Sequence, residues 1–243
     1  MKVAALYDVH GNLPALEAVM SDPRLADADV VVSGGDLVMG PLPAECLDLL
    51  EADGRVRFLT GNGDREACEL DEDGDLVETA RWCSERLGPE RLARVERWPS
   101  TVELEVPELG AALFCHATPT SDLPILTAAT PEGEVSRELG EVAADVVVCG
   151  HTHVQYERRL GRTLIVNAGS VGMPYEGSPD VRWAVLGANG IEHLSTSYDS
   201  VAALDALSRT GFPLVEQWLE PALLGRITAA EATDEFERRR RGA

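Results

Sequence analysis

Residues 2–20 read KVAALYDVHGNLPALEAVM, and a change of period inside this stretch decides the fold. Residues 2–7, KVAALY, form an apolar run with the length of a buried strand. From Leu13 the apolar positions become Leu13, Leu16, Val19 and Met20, the spacing of one helix face. The alternation then returns, with DVVVS at 29–33, a helical pattern from Ala44 to Ala52, and RVRFL at 55–59. Strands alternating with short helices predict βαβ units and parallel pairing.

The middle of the chain reads differently. Two helices are expected, Leu76 to Leu87 and Pro89 to Trp98, broken at Leu87-Gly88-Pro89. Strands at 101–106 and 111–115 are joined by a turn from Pro107 to Gly110, which predicts an antiparallel pair. A helix over 132–141 precedes the apolar strand 145–149, and further strands are expected near 154–158, 163–166, 182–187 and 191–197. From Ser200 the pattern is helical, with breaks at Gly211-Phe212-Pro213 and Gly225. The closing Arg238-Arg239-Arg240-Arg241 reads as a solvated helix end, where cations suit the macrodipole.

A chain of 243 residues, 44% hydrophobic and 26% charged, can bury a sizeable core. Its net charge of −21 repels phosphate backbones and anionic membranes, so broad nucleic-acid or membrane binding is not expected. The five cysteines are odd in number and include no CxxC pair, which points to free thiols in a reducing, cytoplasmic setting. The N-terminal apolar run is too short for a signal-peptide core.

Five loops, each following a predicted strand, carry the chemistry, the position where open α/β sheets place their sites. They are Asp8-Val9-His10-Gly11-Asn12, Gly34-Gly35-Asp36, Gly61-Asn62-Gly63-Asp64-Arg65, His116, and Gly150-His151-Thr152-His153. Each has a plain alternative: a helix cap, a glycine turn, a buried histidine or, for the His151 and His153 pair, a lone zinc or copper clip of unrelated type. Together they are harder to dismiss, because four of the five histidines fall at these strand ends. His193, in a late strand, reads as structural. Asp8, His10, Asp36, Asn62, His116, His151 and His153 make seven candidate ligands, and the Asp36 carboxylate is able to bridge. That number suits two ions about 3.5–4 Å apart. Imidazole mixed with carboxylate favours transition metals over calcium, with manganese preferred and iron, zinc or nickel as alternatives.

The order DxH, GDxxxG, GNxD, a lone His and GHTH resembles the calcineurin-like metallophosphoesterase superfamily, its YfcE-like phosphodiesterases in particular. The resemblance covers roughly residues 1–197, leaving 198–243 as a C-terminal helical extension expected to pack on the same domain. It implies an α/β fold, a four-layer αββα sandwich of two mixed sheets flanked by helices. It also implies that Asp8, His10, Asp36 and His153 hold one metal and that Asp36, Asn62, His116 and His151 hold the other. A bridging hydroxide would then attack phosphorus, with Asp36, Asn62 and His116 as the catalytic residues. The implied substrate is a small, nucleotide-like phosphodiester. Phosphomonoester or dinucleoside polyphosphate hydrolysis is the alternative, and a non-catalytic binding subunit is a further one.

One departure stands out. Many members have GNHD or GNHE, whose His is thought to protonate the leaving oxygen; here that position is Gly63. Asn12 and Arg65 are candidate substrate-binding residues, and Asn167 and Ser170 are candidates to face the site. Residues 66–100 and 198–243 exceed the minimal fold and suit a cap, a recognition element or a homodimer surface. The apolar stripe Phe212, Leu214, Val215, Trp218, Leu219, Leu223 and Leu224 is expected to dock on the domain itself.

Overall fold

The computed structural model describes residues 1–70 and 77–242. Its strands are β1 (Val3–Leu6), β2 (Val30–Gly34), β3 (Val56–Leu59), β4 (Thr101–Val106), β5 (Gly110–Cys115), β6 (Val146–Cys149), β7 (Tyr156–Leu160), β8 (Thr163–Asn167), β9 (Val181–Gly187) and β10 (Gly190–Thr196). They form two five-stranded sheets, β10-β9-β1-β2-β3 and β4-β5-β6-β8-β7. Both are mixed. β1-β2-β3 and β5-β6-β8 run parallel, and antiparallel strands close the edges.

Strand periodicity explains the layers, because alternate side chains face opposite ways. Along β1, Val3 and Ala5 join Phe114, Val148 and Val166 in the core between the sheets, and Ala4 and Leu6 join the core under the helices. Along β5, Ala112 and Phe114 face inward while Leu113 and Cys115 face a third cluster. That cluster includes Val135 and Leu139 of α6 (Glu132–Leu139). Three cores separate four layers, so the chain is an α/β sandwich of two mixed sheets flanked by helices. Tyr7 ties the layers together at the site end, its buried hydroxyl donating to the Val148 carbonyl at 3.0 Å.

On the first sheet's outer face lie α1 (Leu13–Met20), α2 (Pro23–Ala26), α3 (Pro43–Glu51), α4 (Asn62–Glu69) and α5 (Val77–Val95). The break expected at Leu87-Gly88-Pro89 is a kink inside α5, where Gly88 has φ 71°. The expected start of that helix at Leu76 lies outside the described residues. The chain continues as α7 (Ser200–Ser208), α8 (Glu220–Leu223) and α9 (Ala229–Gly242). Leu207, Phe212, Val215, Leu219 and Leu223 share the core that holds Leu16 and Leu47, with Leu214 and Trp218 packed against it.

Three local expectations are corrected. Residues 61–65 read as a loop, but a helix begins at Asn62 because Asp64 caps it: its Oδ2 accepts the Gly61 N–H at 3.0 Å. The strand expected at 154–158 starts instead at Tyr156. The Gln155 amide there is drawn inward to the Ala168 and Trp183 carbonyls, at 3.2 and 2.9 Å. The arginine run is not uniformly solvated: the Arg240 side chain is only 15% exposed and pairs with Glu134 and Glu237.

Candidate metal centre

The five motif segments meet at the carboxyl ends of β1, β2, β3, β5 and β6, so both sheets contribute to one site. Backbone hydrogen bonds lock the segments together. Asp8 N–H donates to the Gly35 carbonyl at 3.1 Å, His10 N–H to Asp36 at 2.9 Å and Gly150 N–H to His116 at 2.9 Å. Asp64, whose role the sequence reading left open, accepts the Leu37 and Val38 N–H groups at 2.9 Å each as well as that of Gly61. It joins the Asp36 and Asn62 segments. Its acid position early in a helix was the available signal. Burial, and then the neighbouring Asp36, push its carboxyl up to about 7.

Five of the expected ligands have backbone in the left-handed region: Asp8 at φ 54°, His10 at 48°, Asp36 at 52°, His151 at 67° and His153 at 56°. For side chains other than glycine this conformation costs on the order of 1 kcal/mol or more each, and it clusters where geometry serves function. Gly35, at φ 91°, is required by close approach. A Cβ there would lie 2.6 Å from His116 Nδ1 and 2.7 Å from Gly61 N.

The histidine tautomers follow from their partners. Nδ1 of His10, His116 and His153 faces the carbonyls of Met39, Gly34 and Met173 at 3.1, 3.0 and 2.9 Å. A carbonyl accepts only, so each Nδ1 carries the proton and each Nε2 presents a lone pair. Yet His10 Nε2 lies 3.1 Å from His153 Nε2, and His116 Nε2 lies 3.2 Å from His151 Nδ1. Two lone pairs therefore face each other in the first pair.

The carboxylates sit among these nitrogens. Asp36 Oδ2 is 3.8 Å from His10 Nε2 and 3.6 Å from His116 Nε2, while its Oδ1 accepts the Gly63 N–H at 2.7 Å. Asp8 Oδ1 lies 3.4 Å from His153 Nε2, and Asp8 Oδ2 accepts the His151 N–H at 3.0 Å. Asp8 Oδ1 and Asn62 Oδ1 are buried with no hydrogen-bond partner. Buried oxygens without a hydrogen and nitrogens with opposed lone pairs are what a cation satisfies, so the residues present fit a metal. Asp8, His10 and His153 form one ligand-spaced group, and Asp8, Asp36 and His116 another.

The charges of Asp8, His10 and His151 agree with that role. Burial raises the Asp8 carboxyl, but His153, His116 and His10 outweigh it and hold the pKa below the usual carboxylate range. Burial lowers His10 and takes His151 down to about 4, so both rings are neutral near pH 7. His116 moves the other way: burial opposes its charge, but Asp36 and Asp8 together prevail.

The remaining candidates are placed differently. The Asn12 Oδ1 caps α1 by accepting the Ala15 N–H at 3.2 Å, and its Nδ2 donates to Gly172 and to Tyr198 Oη at 2.9 and 3.2 Å. Both ends of that amide are satisfied within the fold. Arg65 is engaged by Asp122 at 2.8 and 3.2 Å. Asn167 and Ser170 are fully buried and brace the site: Asn167 Nδ2 donates to the Gly150 carbonyl at 2.6 Å, and Ser170 Oγ to the Asp8 carbonyl at 2.8 Å. His193 stands apart, its Nε2 3.0 Å from the Asn167 carbonyl.

A two-sheet sandwich with Asp and His side chains gathered at its strand ends is the arrangement of a metallophosphoesterase-type protein. Residues 1–189 match the calcineurin-like phosphoesterase superfamily domain, and the chain belongs to that superfamily. It is similar to the uncharacterized protein MJ0912 of Methanocaldococcus jannaschii, 23% identical over 248 residues covering 92% of this chain and 98% of the relative. Among solved structures, a metallophosphoesterase from Sphaerobacter thermophilus aligns with a TM-score of 0.76 and 22% identity, covering 93% of this chain and 99% of that one. The hypothetical protein PH1004 from Pyrococcus horikoshii aligns with a TM-score of 0.78 and 17% identity, covering 91% and 97%. These structural likenesses establish the shared fold. Among the described residues no helix is long and apolar enough to cross a membrane.

Proposed function

We propose that this chain is a two-metal-dependent hydrolase of a small, nucleotide-like phosphodiester. The observation that carries this reading is the facing lone pairs of His10 and His153, 3.1 Å apart beside the unpartnered Asp8 Oδ1. Asp8, His10, Asp36 and His153 would hold one ion, and Asp36, Asn62, His116 and His151 the other. The position of Asp36 Oδ2 between His10 and His116, at 3.8 and 3.6 Å, supports its shared place. Manganese is the proposed metal, with iron, zinc and nickel as alternatives. Bound divalent ions supply positive charge for the negative charge that builds on phosphoryl oxygens during substitution.

The protein's own part is to hold this geometry before substrate arrives. Gly63 N–H fixes the Asp36 carboxylate, His151 N–H fixes that of Asp8, and three carbonyls fix the histidine tautomers. Arg65, three residues beyond Asn62, is paired with Asp122, which offsets its charge. That supports a singly charged diester over a dianionic monoester or a polyphosphate.

The test is turnover of bis(p-nitrophenyl) phosphate, p-nitrophenyl phosphate and a dinucleoside polyphosphate by manganese-loaded protein. The diester should be hydrolysed fastest. A faster monoester would defeat the charge argument. Two bound ions with no turnover of any substrate would make the chain a binding module on this fold.

A further inference from the structure

Helix α9 lies beyond residues 1–189, and its burial is unusual. Its most buried positions are Ala232 and Glu237, one of them a carboxylate. A carboxylate only 4% exposed is rare unless it is firmly partnered. Glu237 Oε1 accepts the Thr127 and Thr130 hydroxyls at 2.7 and 2.6 Å, and its Oε2 pairs with Arg240 at 2.7 Å. The preceding residue in that turn, Leu126, receives the Thr152 hydroxyl at 3.3 Å. Thr152 is the residue between His151 and His153.

A second route leads from the adjacent residue to the same segment. The Phe236 ring lies 6.3 Å from that of Tyr175, which stacks on the His153 ring at 4.7 Å and 29°. Tyr175 N–H also donates to the His153 carbonyl at 3.2 Å. His151 and His153 both have left-handed backbone, at φ 67° and 56°, a conformation that persists only where surrounding contacts over-determine it.

We infer that α9 positions the His151–His153 pair, with Phe236 and Glu237 as positioning residues that act through Tyr175 and through Thr127, Leu126 and Thr152. This rests on the proposed metal-binding role of that pair. Substrate need not touch the helix for it to matter, since residues that orient ligands are worth about 10–100-fold in metal affinity.

The experiment titrates Co2+ into metal-stripped full-length protein, following visible absorption and calorimetry. Wild type, Glu237→Ala, Glu237→Gln, Phe236→Ala, Thr127→Val and the surface control Arg238→Ala are compared. Glu237→Ala and Phe236→Ala should each weaken Co2+ binding about 10–100-fold and alter the visible spectrum. Glu237→Gln keeps an oxygen for both threonines and should recover most of the affinity, while Arg238→Ala should match wild type. Should Glu237→Ala fail to fold, Thr127→Val, which removes one link without altering the helix, decides the matter by a smaller shift of the same kind. Lowered melting temperatures with unchanged Co2+ affinity and spectra would overturn the inference and leave α9 as packing alone. A wild-type protein that binds no Co2+ would instead sink the metal-centre reading.

Discussion

Gly63 occupies the position where the resemblance leads one to expect a histidine, and the structure explains why a side chain is excluded. A Cβ at 63 would stand 2.7 Å from Met39 Cβ and 3.1 Å from Asp36 Oδ1. Carbon atoms pack best at about 3.5–4 Å, so something must move by roughly 1 Å. The near atom is a Cβ, fixed to the backbone, and Met39 is held at both ends. Its carbonyl faces His10 Nδ1 at 3.1 Å, and its sulfur lies 3.9 Å from Cys83 Sγ. Gly63 is the second residue of α4, so the helix-interior preference for alanine over glycine does not offset the clash. Gly63→Ala should lose about 1–3 kcal/mol from overpacking. Because displacement of Met39 moves the carbonyl behind His10, metal affinity should fall too. Denaturant unfolding of Gly63→Ala, Met39→Gly and the double variant measures the coupling, expected to be favourable by about 1–2 kcal/mol. A Gly63→Ala protein as stable as wild type, or strictly additive losses, would refute the steric argument. By the same reasoning Gly63→His alone does not restore an acid here; it disrupts Met39 first.

Asp36→Asn should abolish turnover and weaken both ions, whereas His153→Ala and His116→Ala should each weaken one more than the other. Metal content and rates on the three variants check this, and near-normal activity in Asp36→Asn would count against a shared ligand. Chelation should lower the melting temperature without unfolding the chain, because bound ions stabilise by mass action; a melt indifferent to EDTA in protein shown to contain metal would contradict it. With glycine at 63, rates across a series of phosphodiesters should fall steeply as leaving-group pKa rises, since a positioned acid is worth about 10²–10⁴-fold; a flat series would reveal another acid. Away from the site, hydrogen bonds from Arg24, then Thr196, hold the Asp22 carboxyl below its ordinary 3.8. The folded state therefore favours the ionised form, and its contribution is present above pH 3.8 and is lost as pH falls through the lower folded value. Asp22→Asn should cost about 1–2 kcal/mol near pH 7, with the difference shrinking below pH 4; a pH-independent difference would exclude the carboxylate as its source.

The elements legible in the sequence were those set by short-range pattern. The apolar run ending at Tyr7 and the helical spacing from Leu13 announced the first β-α unit. Asp8, His10, Asp36, His116, His151 and His153 could be nominated because each directly follows a strand, where a parallel sheet must present its ends together. Gly63 was legible as a departure, since one missing residue type is visible without coordinates.

What tertiary structure decided depends on partners far away in the chain. That Nδ1 of His153 meets the Met173 carbonyl, and that its lone pair therefore faces His10, needs three separated segments to meet. Arg65 looked free to bind phosphate because Asp122, 57 residues later, gives no local sign of pairing with it. The Asn12 amide donates to Gly172 and Tyr198, 160 and 186 residues away, which no local pattern announces. The arginine run read as solvated because burial of Arg240 beside Glu134 and Glu237 is settled by where α9 lands. Periodicity and turn chemistry act over a few residues and can be read along the chain. The identity of a hydrogen-bond partner across 50 or 150 residues is chosen by packing, and only the folded arrangement records the choice.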